Sequence, residues 1–235
     1  MNKEFADPLY KYDNRLLENE FLKRHNECLP FIGKNYDDSR LLLVGESHYV
    51  EKEDVRYVDR QDYYEISYDD LPEGYYKSYI NTRVVFSDRA NEHFDKFETF
   101  FSNIATEIAV INNQTNDVSL IQKRRAMQQF AFMNYFKRPS YDRGKTIREL
   151  LDIDYKIAYG ISCYIIDVLK PKLIIFMSKK AYDSFLAADY YGEMRANYKI
   201  ESVSHPSCAW WNRKRSDGKC AKEDFRNLLS TEIFI

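Results

Sequence analysis

CYIIDVLKPKLIIFMSKKAYDSFL, residues 163–186, sets out the order of the fold in one run. Ile157, Ile161, Tyr164, Ile165, Val168 and Leu169 recur at spacings of three and four, which puts them on one face of a helix with Asp154 as its N-cap. Pro171 stands just past the end, where its fixed φ and missing N–H stop a helix. Leu173 to Met177 then forms a short, continuously apolar run. A run of that length without alternation reads as a strand covered on both faces, as in a parallel α/β sheet. Residues 179–188 return to a helical pattern.

Working outward, Leu41 to Val44 has the same continuous character, and Phe130 to Met133 and Lys199 to Val203 are two further short runs that read as strands. Helices separate them. Phe94, Phe97, Phe101, Ile104, Ile108 and Ile111 share one face of a long helix beginning after Ser87 or Asp88, and Lys222 to Leu229 forms a C-terminal helix. The expectation is an α/β protein: a three-layer α/β/α sandwich around a central four-stranded, mainly parallel sheet. No repeat or low-complexity linker divides the chain, so residues 1–235 read as a single domain. It carries an aromatic-rich insertion at about residues 49–86, where Tyr57, Tyr63, Tyr64, Tyr68, Tyr75, Tyr76 and Tyr79 are interleaved with acids without a sustained helical period. Such an excursion is a lid over a site or an irregular packing layer.

Composition narrows the function classes. With 44% apolar residues in 235, the chain can bury a sizeable core and is not globally disordered. The net charge of -2 argues against coating nucleic acid by bulk electrostatics, but a local basic stripe can still hold phosphates. Cys28, Cys163, Cys208 and Cys220 are scattered without a CxxC pair, so neither a metal site nor an iron–sulphur cluster is expected, and no cofactor. No window approaches the roughly 18 apolar residues of a membrane span, and the expectation is a soluble, cytoplasmic protein.

In open α/β sheets ligands sit beyond the carboxyl ends of the strands. Three strand ends carry chemistry here, and parallel strands would make them converge. The first gives Gly45, Glu46, Ser47, His48 and Tyr49; the second gives Asn134, then Lys137, Arg138 and Pro139; the last gives Ser204, His205, Pro206 and Ser207. The last leads into SHPSCAWWNRKR, residues 204–215, which adds Trp210, Trp211, Arg213, Lys214 and Arg215. Each has a plainer reading. Gly45 permits a turn, Glu46 caps or is solvated, Asn134 satisfies loose backbone, His205 is a turn residue before proline, the tryptophans are core, and the cations a solvated face.

Taken in order, these segments resemble the uracil-DNA glycosylase superfamily. GESHY is similar to its first motif, FMNYFKRPS to its central strand with an asparagine and a Lys-x-Arg-Pro type run, and SHPS to its terminal His-Pro-Ser motif. The resemblance covers about residues 40–48 and 130–215. It implies a DNA glycosylase that hydrolyses the N-glycosidic bond of uracil or another damaged base, with DNA as partner. By that resemblance Asn134 reads the edge of a flipped base, with Gly45, His48, Tyr49 and Ser207 around it. His205 stabilises charge growing on the leaving base, and a first-motif residue such as Glu46, with Ser47 beside it, positions or activates water. Trp210 or Trp211 wedges into the base stack while Arg213, Lys214 and Arg215 hold phosphates.

Ser47 stands where active uracil-specific members often carry aspartate or asparagine, and His48 where they carry proline. That departure, with the slight negative charge, opens an alternative: a non-catalytic nucleic-acid or nucleotide-binding module of the same fold. A serine hydrolase with Ser47 and His205 is the third reading, but Gly45-Glu46-Ser47-His48-Tyr49 lacks the final glycine of a nucleophile elbow.

Overall fold

Four of the strands in the sheet coincide with the four apolar runs. In the computed structural model, which describes residues 8–50, 60–72, 80–86, 99–141 and 146–233, they are β2 (Leu41–Gly45), β3 (Phe130–Asn134), β4 (Leu173–Phe176) and β5 (Lys199–Ser202). The expected four-stranded sheet is corrected to five. A two-residue strand, β1 (Phe31–Ile32), pairs antiparallel with β3 at the edge. It is too short to show a period in sequence. The order is β1-β3-β2-β4-β5, with β2 central and parallel to both neighbours.

The longer helices are α1 (Thr99–Asn113), α2 (Leu120–Met127), α3 (Asp152–Leu169), α4 (Lys179–Ala188) and α5 (Ala221–Glu232). They cover both faces. Leu41, Leu43, Phe130, Phe132, Leu173 and Ile175 pack with α1, α2 and α5, whereas Leu42, Val44, Ala131, Met133, Ile174 and Phe176 pack with α3 and α4. This is the physical reason for continuous hydrophobicity: alternate side chains point to opposite layers, and both layers are dry. Each such buried side chain other than Ala131 contributes about 1.5–3 kcal/mol.

The chain passes from β2 to β3 through α1 and α2 on one face, then reverses along the sheet to β4 through α3 on the other. A reversal of direction keeps the same hand only if the connection changes face. The switch lies between β2 and β4, where crevices form in such sheets. Helix α3 begins earlier than expected. Asp154 is not its cap but lies in the first turn, where its carboxylate accepts the Leu151 amide at 2.7 Å. The cap proposed at Ser87 or Asp88, with Phe94 and Phe97, falls outside the described residues.

The described part of the aromatic insertion is a packing layer. Tyr63, Tyr64 and Leu71 are buried with Val50 and Ile80. Their hydroxyls find carboxylates: Tyr63 donates to Glu27 at 2.8 Å and Tyr64 to Asp154 at 2.5 Å. Tyr57, Tyr75, Tyr76 and Tyr79 lie outside the described residues.

Candidate functional site

The first two motifs form one hydrogen-bonded unit. Beyond the end of β2 the backbone runs beside the segment that follows β3, with Tyr135 N donating to Gly45 O at 3.1 Å and Phe136 N to Glu46 O at 2.9 Å. Further on, Ser140 N donates to His48 O at 2.7 Å and Val50 N to Ser140 O at 2.9 Å. Tyr49 lies opposite Ser140 in a parallel bridge. GESHY and NYFKRPS therefore hold each other in register although roughly ninety residues separate them.

Gly45 is needed for what lies over it. A Cβ there would run into Asn134 Oδ1 and come within 2.7 Å of the Phe132 ring. The Asn134 carboxamide thus lies across the bare glycine, half-buried, on the face that Phe132 shares with α1. His205 belongs to the same side. Its ring lies 4.8 Å from that of Phe100 on α1, and Phe100 is 5.9 Å from Phe132. The turn holding His205 is fixed by Asn103 of α1, whose amide donates to Pro206 O at 2.7 Å. Ser207 N donates to His205 Nδ1 at 3.2 Å, which makes Nδ1 the acceptor and leaves the proton of a neutral imidazole on Nε2. His205 and Ser207 are exposed.

Glu46 goes the other way. One carboxylate oxygen accepts from Thr146 Oγ1 at 2.5 Å and Ile147 N at 2.8 Å; the other accepts from Ser178 Oγ at 2.6 Å. Ser178 in turn caps α4 by accepting the Ala181 amide at 3.2 Å. Ile147 and α4 belong to the layer opposite Phe100 and Phe132. The strand ends do converge, but Asn134 and His205 face one layer and Glu46 the other. Ser47 is half-buried, and His48 Nε2 meets Thr82 Oγ1 at 2.9 Å.

Lys137 and Arg138 are buried. Arg138 forms a bidentate pair with Asp154 at 2.7 and 3.2 Å and also reaches the Glu149 carbonyl at 3.0 Å. Lys137 Nζ donates to the Asn134 carbonyl at 2.6 Å, and among the described residues no carboxylate balances it. Burial brings its pKa down to about 8, against a smaller opposing pull from the nearby Cys28. Cys28 itself is pushed up by burial.

The basic segment divides. Trp211 is corrected from a candidate wedge to core: it is 1% exposed and packs at 5.7 Å against Phe225 of α5. Trp210 is half exposed, with the Arg213 guanidinium 5.1 Å above its ring, and Lys214 is exposed beside them. Arg215 is committed to Asp224 at 2.6 Å and Asp217 at 3.3 Å. These bonds, that to Asp224 foremost, raise its pKa.

Sequence reasoning missed Phe100, Phe132, Asn103, Thr146 and Ser178 as neighbours of the site. Only Ser178 carried a local signal, a serine directly before a helical run. The four cysteines are free, and among the described residues no group of three or more His, Cys, Asp or Glu could hold a metal ion. Among the same residues no helix is long and apolar enough to cross a membrane. Compared with known proteins, the chain matches no family model and no curated protein sequence.

Proposed function

We propose that this protein is a divergent, uracil-DNA glycosylase-like protein that holds a flipped nucleobase at the strand ends and hydrolyses its N-glycosidic bond, a DNA-repair chemistry. The observation that carries the reading is the carboxamide of Asn134 laid over Gly45 on the same face as His205, with Phe100 and Phe132 between. A carboxamide both donates and accepts, which suits the edge of a base. His205 carries its proton on Nε2 when neutral and so can donate to a base leaving with negative charge. Trp210, Arg213 and Lys214 supply an exposed aromatic and two cations for a DNA strand.

A second reading, base recognition without hydrolysis, is favoured by Glu46. Three donors occupy its carboxylate, leaving about one lone-pair direction for a water. Oligonucleotides bearing a single uracil or hypoxanthine, in single strands and in duplexes, separate the two when abasic product is read by alkaline cleavage and binding by fluorescence anisotropy. Base release is expected, falling by at least about a hundredfold in His205→Ala. Release that His205→Ala leaves unchanged overturns the assignment of His205. Binding that requires Asn134 but yields no product supports the second reading and overturns the first.

A further inference from the structure

The two edges of the sheet are unlike. β1 at one edge is short and followed by Gly33, whose amide donates to Phe130 O at 3.0 Å and whose absent Cβ makes room for the Gln128 backbone. β5 at the other edge is partly exposed, and among the described residues no strand lies beyond it. An edge of this kind offers a row of backbone donors and acceptors.

Which residues face outward follows from the register. Val203 N donates inward to Phe176 O at 3.0 Å, and in a parallel ladder the inward-bonding residues alternate. Lys199, Glu201 and Val203 therefore bond toward β4, while Ile200 and Ser202 turn their N–H and C=O groups away from it. Lys199 and Glu201 lie on one face, 3.1 Å apart.

We infer that β5 is a self-association edge, pairing antiparallel with β5 of a second copy of this chain about a two-fold axis at Ile200. In that arrangement the outward groups of Ile200 bond those of its counterpart. Lys199 of each chain then stands directly opposite Glu201 of the other, as does Glu201 opposite Lys199. The sequence Lys-Ile-Glu is self-complementary in this register and not in the parallel in-register one, which would place like charges side by side. A lone lysine on an edge discourages pairing with any strand. Here the glutamate two residues on converts that deterrent into a preference for the same strand reversed. The connection that delivers the chain to β5 adds Tyr190 and Tyr191, 81% and 87% exposed and in edge contact with each other. Their turn is held by Asp189, which accepts from Met194 N at 3.1 Å and Arg195 Nε at 3.1 Å. Two five-stranded sheets would join into one, a C2 arrangement using the same patch twice.

Sedimentation equilibrium of the full chain over a range of micromolar concentrations tests this independently of any base chemistry. A monomer–dimer equilibrium is expected. Lys199→Glu sets glutamate against Glu201 in both symmetry-related pairs, and is expected to weaken dimerisation at least about tenfold. The exchange Lys199→Glu with Glu201→Lys restores the complementary pattern and is expected to recover it. A wild-type chain that stays monomeric overturns the inference, as does a dimer indifferent to Lys199→Glu. Recovery by the exchange excludes misfolding as the cause of loss; failure to recover, with circular dichroism unchanged, overturns the register.

Discussion

Gly45 and Glu46 are consecutive residues at the end of β2, yet they serve opposite sides of the sheet. Above Gly45 the polar groups are few and bordered by rings: Asn134, then Phe132, Phe100 and the exposed His205. Around Glu46 polar groups meet other polar groups, in bonds to Thr146, Ile147 and Ser178, with the Arg138–Asp154 pair holding the same strap of chain. The first arrangement is the one proposed to meet a base. The second is a brace. The difference teaches that residues of one short motif divide between holding a site and forming it, because a strand sends neighbouring side chains to opposite faces.

The contrast can be broken at its strongest member first. Arg138→Met leaves the Asp154 carboxylate buried with only Tyr64 and the Leu151 amide, and is expected to cost about 3–5 kcal/mol of unfolding free energy in urea titrations. A loss under about 1 kcal/mol would mean that the brace does not hold the fold.

Lys137 gives an effect of similar size that depends on pH. Its folded pKa of about 8 lies below its ordinary 10.5, so between these values the unfolded chain keeps a proton the folded chain has released. Stability then rises with pH through that window, by up to about 3 kcal/mol, because the cost of burying the ammonium is fully present below the folded value. Above pH 10 the buried hydroxyls of Tyr63 and Tyr64, kept protonated by burial, act in the opposite sense. Lys137→Met removes the rise, so its stability advantage over the wild type shrinks from about pH 7 to about pH 9.5 in denaturant titrations. An advantage constant with pH would place the amine in water.

The smallest effect sharpens the contrast most. Glu46→Gln keeps the shape but removes the charge and leaves one accepting oxygen where the carboxylate has two, and is expected to cost about 1–2 kcal/mol of stability while leaving nucleobase affinity unchanged. Abolished base release with unchanged stability would instead make Glu46 a water-activating group and erase the distinction between the two sides.

Much of this was legible in the chain. The runs at Leu41, Phe130 and Leu173 are strands because unbroken apolar stretches of that length suit a sheet covered twice, whereas Lys199–Ser202 is an edge strand in which polar residues are interspersed. That Glu46, Asn134 and His205 all stand at strand ends was legible because parallel strands end at one edge; that Glu46 turns to the opposite layer was not. What escaped were features without local pattern. β1 owes its pairing to β3 rather than to a period of its own, and Trp211 is core while Trp210 is surface, a choice made by the position of Phe225. Phe100 and Asn103 touch the His205 turn only because α1 crosses the sheet there.

The sequence by itself determined the α/β class, the parallel core and the strand ends where polar chemistry gathers, since burial on both faces writes hydrophobicity directly into short runs. Only the tertiary structure decided that Asn134 and His205 share a side while Glu46 braces the other, and that β5 stands at an edge. Those outcomes depend on strand order and on which helix covers which face, and these arise from contacts between residues far apart in the chain.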